Sequence, residues 1–351
     1  MKFILLVLFF SVLLFAYPVW RLGGWLQLSL TWQFGSTILL FSSQFVARFV
    51  LRNHTNRVTY LYRRAADFFL GMSPVLLGLV LLIELTNLFL SFSPQSLQLL
   101  SFGILAITLL AGLWGLSVAW KPDIITVRLV SDKLGKPLRF VQISDVHIGS
   151  RTTRFLEKTI QRVEGLKPDF LCITGDFIDQ PGITEDKLAS LKLFTGPIYY
   201  CIGNHERYED LDDIVSRMES LGVEVLRNRA VTSDGIQLIG IDDHEDPEQV
   251  AKVLPTIEVL KSAFSILLYH RPEGIEAAQV HGVDLKISGH THNGQIVPFN
   301  KAVSSRFKFT KGLYPFNGSY LYVNEGTGTW GPTLRLGTRS EITVFELTPT
   351  Q

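Results

Sequence analysis

Two hydrophobic patterns divide the chain. Up to about residue 120 the apolar positions form long, nearly uncharged runs, and beyond it they form short runs separated by polar and glycine-containing stretches. A helix that crosses a bilayer needs about 20 consecutive apolar residues. The first part predicts about four such helices, at about 3–20, 24–47, 68–92 and 96–119, which makes 1–122 an all-α transmembrane anchor domain. Ser91, Ser93, Pro94 and Gln95 form the polar break between the third and fourth. The second part, 123–351, alternates β-rich runs with helix-like stretches. The runs are Leu138–Ser144, Phe170–Thr174, Ile198–Ile202, Ile236–Ile241, Ser265–Tyr269, Leu285–Ser288, Tyr320–Val323 and Ile342–Leu347, with helical spacing over Arg154–Gly165 and Leu211–Leu221. This alternation predicts a layered α/β or α+β domain.

Charge separates the same two parts. Residues 1–120 hold seven Lys or Arg against Asp67 and Glu84, about +5, whereas the whole chain carries +1, so the remainder is near −4. A mildly acidic domain lacks the basic face that nucleic acid requires. Arg48, Arg52, Arg57, Arg63 and Arg64 cluster in one loop, and such clusters stay on the cytoplasmic side. With four spans, that loop, the N-terminus and the C-terminal domain share a side. The expected location is a multi-pass protein of the plasma (inner) membrane with a cytoplasmic catalytic domain. An odd number of spans would reverse that placement. Lys2 before an apolar run also fits a signal peptide, but Phe15-Ala-Tyr-Pro-Val offers no clear cleavage site. Glu84, inside the third span, is either paired with a polar neighbour or part of a relay. Cys172 and Cys201 lie in buried-strand patterns, as free thiols or a disulfide.

Five of the β-rich runs end on a residue type that binds metals: Asp145, Asp176, Asn204, His270 and His290. Residues at the carboxyl ends of neighbouring strands converge on one rim of a sheet. His147, His205 and His292 lie within two residues of these positions, and Gly175, Gly203 and Gly289 allow tight turns beside them. A mixed His, carboxylate and amide set suits divalent ions such as Mn, Fe, Zn, Co or Ni. Seven ligands exceed what one ion takes, so two ions sharing a carboxylate are expected, as in hydrolases that generate a hydroxide near neutral pH.

In their order, Asp145-Val-His147, Gly175-Asp176, Gly203-Asn-His205-Glu206, the lone His270 and Gly289-His-Thr-His292 resemble the calcineurin-like metallophosphoesterases. The resemblance covers about 138–347. It implies a four-layer sandwich of two mixed β-sheets flanked by helices, and metal-dependent hydrolysis of a phosphodiester, phosphomonoester or pyrophosphate bond. It also implies roles: Asp145, His147 and His292 on the first metal, Asn204, His270 and His290 on the second, and Asp176 between them. His205 would contact the phosphoryl group or protonate the leaving group, with Glu206 orienting it. Gly289-His-Thr-His-Asn-Gly-Gln295 and Glu325-Gly-Thr-Gly-Thr-Trp330 look most like a bacterial membrane-associated branch of phosphodiesterases and phosphohydrolases.

The bilayer tether favours a lipid-linked phosphate ester as substrate and membrane lipid as a partner. A contrasting reading is a membrane transporter or receptor whose soluble domain senses a phosphorylated ligand without turnover. Two segments stay open. His244, in the acidic run Asp242–Asp246, either reaches the site or sits in an exposed loop. The basic and aromatic stretch Phe299–Phe316 either faces anionic lipid or packs as an amphipathic insert.

Overall fold

A computed structural model describes residues 8–51 and 56–350. Lys2, Arg52 and the first positions of the predicted span at 3–20 lie outside the described residues. Two compact units emerge, one of Met1–Ser117 with Gly331–Leu334, the other of Val118–Trp330 with Arg335–Gln351.

Among the described residues three helices are long and apolar enough to cross a membrane: Leu8–Trp25, Arg57–Leu90 and Pro94–Trp120. The predicted span at 24–47 is also helical, over Leu30–Phe45 and a π-helical turn at Val46–Val50, but its apolar character is diluted by polar residues. Two of these polar residues are satisfied inside the first unit, Gln33 Nε2 donating to the Trp20 carbonyl and Gln44 Nε2 to that of Ala66, both within 2.8 Å. Asn56 caps the helix Arg57–Leu90 by accepting from Thr59 N at 3.0 Å, and Ser91 ends it in a left-handed conformation. Glu84 pairs with Arg21, so the paired reading of this acid holds.

The second unit contains twelve strands: β1 (Asp123–Ser131), β2 (Leu138–Ile143), β3 (Phe170–Thr174), β4 (Ile198–Cys201), β5 (Val223–Val225), β6 (Arg229–Ser233), β7 (Ile236–Gly240), β8 (Phe264–Leu268), β9 (Leu285–Ser288), β10 (Gly312–Phe316), β11 (Ser319–Val323) and β12 (Glu341–Pro349). They form two six-stranded mixed sheets, ordered β1-β12-β2-β3-β4-β5 and β10-β11-β9-β8-β7-β6. All eight predicted runs are strands.

Three apolar layers hold the sandwich together. Val141, Ile143, Leu171 and Ile173 pack outward against Phe155, Ile160 and Val163 of the helix Thr153–Gly165. Phe140, Cys172, Cys201, Ile266, Ile287 and Phe345 fill the space between the sheets, where Phe140 stacks on Phe345 at 4.5 Å. Ile239, Leu267, Ile275 and Leu321 form the layer behind the second sheet. Both cysteines are buried and free, which excludes the disulfide. The inner strands are mostly apolar on both faces, as parallel strands covered on both sides must be, with a few buried polar residues such as Gln142 and Lys286 that are hydrogen-bonded in place. The cluster of titratable groups is at the strand ends.

Candidate metal centre

The carboxyl ends of β2, β3, β4, β8 and β9 bring the nine predicted site residues to one rim. Ligand atoms of Asp145, His147 and His292 lie within 4.8 Å of one another, as do those of Asp176, His270 and His290, and those of His147, Asp176 and His205. The first trio is tied by His147 Nε2 to His292 Nε2 at 3.1 Å and His292 Nε2 to Asp145 Oδ1 at 3.3 Å. In the second, His270 Nε2 is 3.2 Å from Asp176 Oδ2 and 3.1 Å from His290 Nδ1. Asp176 belongs to two trios, and Asn204 Oδ1 is buried without a hydrogen-bond partner.

These contacts fit a divalent metal ion. Pairs of imidazole nitrogens turned toward each other, and an orphaned amide oxygen, are donors awaiting an acceptor of electron pairs. Burial holds His290 down at about 3, and it holds His292 down at about 4 against the pull of Asp145, so both keep a free lone pair at neutral pH. His270 is also opposed by burial, yet the Asp176 carboxylate raises it to about 10. Burial would likewise raise Asp145 and Asp176, but the surrounding imidazoles hold both below the usual carboxylate range. The rim therefore demands positive charge.

Backbone geometry carries the same message. Asp145, His147, Asp176, His290 and His292 have φ of 53°, 55°, 49°, 72° and 47°. Left-handed conformations are uncommon for non-glycine residues and cluster at functional sites. Gly203 and Gly289 let the loops approach: a Cβ on Gly203 would lie 2.2 Å from Asp176 Oδ1, and one on Gly289 2.2 Å from Asp145 Oδ2.

Glu206 does something other than orient His205. Its Oε1 accepts from the backbone N–H groups of Phe177 (2.6 Å) and Ile178 (2.9 Å), and its Oε2 from Asp176 (3.0 Å) and Gly203 (2.8 Å). These four bonds lock the Asp176 loop to the Asn204 loop, which corrects the expected Glu206–His205 partnership. The His205 ring stands 4.8 Å from that of His147, with Nε2 4.0 Å from Asp176 Oδ2, and burial lowers its pKa.

Three supporting residues escaped the sequence reading. Asp179, buried, places Oδ2 3.4 Å from His147 Nδ1 and accepts from Ser150 N at 2.9 Å. Its signal was a second Asp three residues after Asp176. Arg335, fully buried, donates to the carbonyls of His292 (3.2 Å), Glu325 (2.6 Å), Gly326 (3.0 Å) and Gly328 (3.0 Å). That staple gives the Glu325–Trp330 motif its purpose, since Gly328 N also donates to the Asp145 carbonyl at 3.0 Å. Asp243 is buried beside an exposed His244, whose Nδ1 accepts from Asp246 N at 3.1 Å; His244 joins none of the three ligand trios. Within Phe299–Phe316, the helix Phe299–Arg306 buries no residue, whereas Phe309 packs on Tyr314 and Phe316, and Phe307 stands edge-on to His290 at 5.3 Å.

Comparison with known proteins bears on the same region. The Calcineurin-like phosphoesterase family profile matches residues 138–294. An uncharacterized metallophosphoesterase of Helicobacter pylori is 33% identical over 240 residues, 65% of each chain. One from Aquifex aeolicus is 31% identical over 227 residues, 61% of this chain and 86% of its own. A "Transmembrane protein with metallophosphoesterase domain" from Danio rerio is 30% identical over 275 residues, 68% of this chain and 60% of its own. The chain thus spans about two thirds of the Helicobacter pylori relative's length. Ordered motifs, two mixed sheets and these relatives agree: the chain belongs to the calcineurin-like phosphoesterase family.

Proposed function

We propose that the protein hydrolyses phosphate ester or anhydride bonds with two divalent metal ions per chain, acting on a lipid-linked substrate at the membrane. The observation that carries this reading is that the trios Asp145, His147, His292 and Asp176, His270, His290 are linked by a third, His147, Asp176, His205. Asp145, His147 and His292 would hold one ion and Asn204, His270 and His290 the other, with Asp176 between the two sets. Bound there, such ions would supply charge neutralisation for the phosphoryl group and a hydroxide nucleophile near neutral pH.

The chain's own residues do the rest. His205 lies beside both trios without being needed as a ligand, and its partly exposed ring is placed to give a proton to the departing oxygen as the P–O bond breaks, in the imidazolium form that burial opposes but the nearby Asp176 carboxylate favours. Glu206 fixes the spacing of the Asp176 and Asn204 loops, Asp179 fixes the ring of His147, and Arg335 fixes the turn carrying His292. Tethering to the bilayer raises the encounter rate with lipid-borne esters, which supports the lipid-linked substrate class.

The two longest apolar helices support the sidedness. If both Arg57–Leu90 and Pro94–Trp120 cross, the arginine cluster around the start of the first and the phosphoesterase unit after the second share a side, whether or not Leu30–Phe45 crosses. The cluster's preference for the cytoplasm supports a multi-pass plasma-membrane protein with a cytoplasmic site. Protease digestion of a C-terminal tag in inside-out vesicles, but not in intact cells, is the expected outcome.

The decisive assay loads the purified full chain with Mn, Fe, Zn, Co or Ni and screens aryl phosphomonoesters, phosphodiesters and lipid diphosphates. Turnover that disappears in Asp176→Ala is expected. No turnover with any ion, together with variants indistinguishable from the parent chain, would remove the hydrolytic reading.

A further inference from the structure

Beside the second ligand trio lies a charge cluster that the hydrolytic scheme leaves unused. Asp243 is 2% exposed. Its Oδ1 accepts from Arg271 Nε at 2.7 Å, and its Oδ2 from Arg207 Nη1 at 3.1 Å and Arg271 Nη2 at 3.4 Å. Arg271 directly follows His270, and Arg207 lies two residues after His205, so both guanidiniums spring from the rim that carries the site. The neighbouring Asp242 is taken by Arg227 at 2.8 Å.

One carboxylate therefore serves two guanidiniums. Among the described residues, neither Arg207 nor Arg271 has a second carboxylate within ion-pair distance. The cluster carries a net +1 on side chains that are only 27% and 13% exposed. Asp243 neutralises one of the two guanidinium charges, so the second is open to an anionic ligand. Arg271 is also held by its backbone, whose carbonyl accepts from Lys286 Nζ at 2.7 Å. Arg207 stands on the short helix Asn204–Tyr208 that also carries Asn204 and His205, and Arg271 on the turn that carries His270, so Asp243 ties together the two segments that flank the second trio.

We propose that Arg207 and Arg271, oriented by Asp243, form an anion subsite for a second phosphoryl group on the substrate, next to the one that is hydrolysed. The proposal rests on the hydrolytic reading only for the place of the first phosphoryl group. Planar guanidiniums with fixed charge suit phosphate oxygens, which accept two parallel N–H bonds. Asp243 holds each fork by one edge and leaves other N–H donors for a ligand. The subsite selects diphosphates and related phosphoanhydrides over phosphodiesters whose second arm is uncharged.

Calorimetric titration of inorganic pyrophosphate and inorganic phosphate into the metal-loaded full chain tests this without requiring turnover. The expected result is a preference for pyrophosphate that narrows by about 10-fold or more in Arg271→Met, and again in Arg207→Met, since a hydrogen bond to a charged group contributes about 1.5–3 kcal/mol. Asp243→Asn removes the competing carboxylate while keeping its shape, and should leave the preference intact or larger. Metal content and thermal unfolding identify any variant that fails to fold, in which case Arg271→Lys, keeping the charge and losing the fork, should give a partial loss. A pyrophosphate-to-phosphate ratio equal to that of the parent chain in folded, metal-loaded Arg207→Met and Arg271→Met overturns the subsite. Absence of hydrolysis of either anion would count against the hydrolytic reading alone, because the binding ratio is still measured.

Discussion

Lys286 offers a prediction whose size and sign can be worked from the structure. It sits in β9, fully buried, with Nζ donating to the Arg271 carbonyl at 2.7 Å and the Ser288 hydroxyl at 2.6 Å, above the Tyr269 ring at 5.2 Å. Burial lowers its ammonium from 10.5 to about 7. The unfolded chain therefore binds more protons than the folded one between pH 7 and pH 10.5, and stability rises with pH across that window. A full proton of difference adds about 1.4 kcal/mol for every pH step of one, and integrating from pH 7 to pH 10 gives roughly 3 kcal/mol. Lys286→Met has no proton to lose. It also gives up two hydrogen bonds and leaves the Arg271 carbonyl without that donor, at a cost of about 1–3 kcal/mol. At pH 7 the variant should be the more stable chain, and by pH 10 that advantage should vanish or reverse. Buried tyrosines add their own alkaline dependence, but equally in both chains. For a unit of this size 1 kcal/mol corresponds to about 2–4 °C, so the difference in Tm should change by roughly 6–12 °C over the window. Thermal unfolding of the full chain in detergent, followed by the β-sheet signal in circular dichroism, reads this directly. A difference in Tm that stays constant from pH 7 to pH 10 would refute the reasoning.

Three further outcomes are expected. Asp179→Asn weakens the grip on His147 and should lower the affinity of one of the two ions about 10–100-fold, measured by competition with a chelator; unchanged affinity would show that the carboxylate does not orient the ring. His205→Gln should retain its metal and lose about 10²–10⁴-fold in kcat on an alkyl phosphate, which needs a protonated leaving oxygen, but far less on a nitrophenyl ester; equal losses on both would count against proton donation. Gly203→Ala places a methyl group 2.2 Å from Asp176 Oδ1, where Glu206 prevents the loop from yielding, so the unit should lose about 1–3 kcal/mol together with metal affinity. A stable Gly203→Ala chain with full metal content would mean that the loop is softer than its four backbone bonds imply.

The strands were legible where their apolar runs were long and two-sided. β1 and β6 are edge strands with exposed positions, β5 has only three residues, and β10 carries Pro315, which argues against a strand from sequence alone; these four were not among the predicted runs. The polar helix Leu30–Phe45 shows the opposite difficulty, because its hydrogen bonds to Trp20 and Ala66 are made with residues remote in sequence. At the rim, the residue types at five strand ends announced a metal centre, since only a cation makes sense of so many imidazoles and carboxylates at the close of apolar runs. Glu206 was legible as a motif member but not in its work, because nothing in a sequence says that a carboxylate will be consumed by four backbone N–H groups. Asp243 was hidden for a related reason: in Asp242–Asp246 five polar residues read as one exposed loop, while the fold turns a single one of them inward.

The residues that the sequence concealed are those that make the centre rigid. Asp145, His147, Asp176, His290 and His292 all adopt positive φ, and each such residue costs on the order of 1–3 kcal/mol unless its surroundings impose it. Asp176 is held by Glu206 on its own amide, the His147 turn by the hydrogen bond from His147 N to the Asp176 carbonyl at 3.1 Å, and the His292 turn by Arg335. His290 N donates in turn to Asp145 Oδ2 at 3.1 Å, so the two halves of the rim brace each other. None of these bonds touches a reacting group. They hold donor atoms at distances that a cation would satisfy, and of the thirteen non-glycine residues with positive φ among the described residues, five are these candidate ligands, gathered at one rim where the chain brings several strand ends into a small volume.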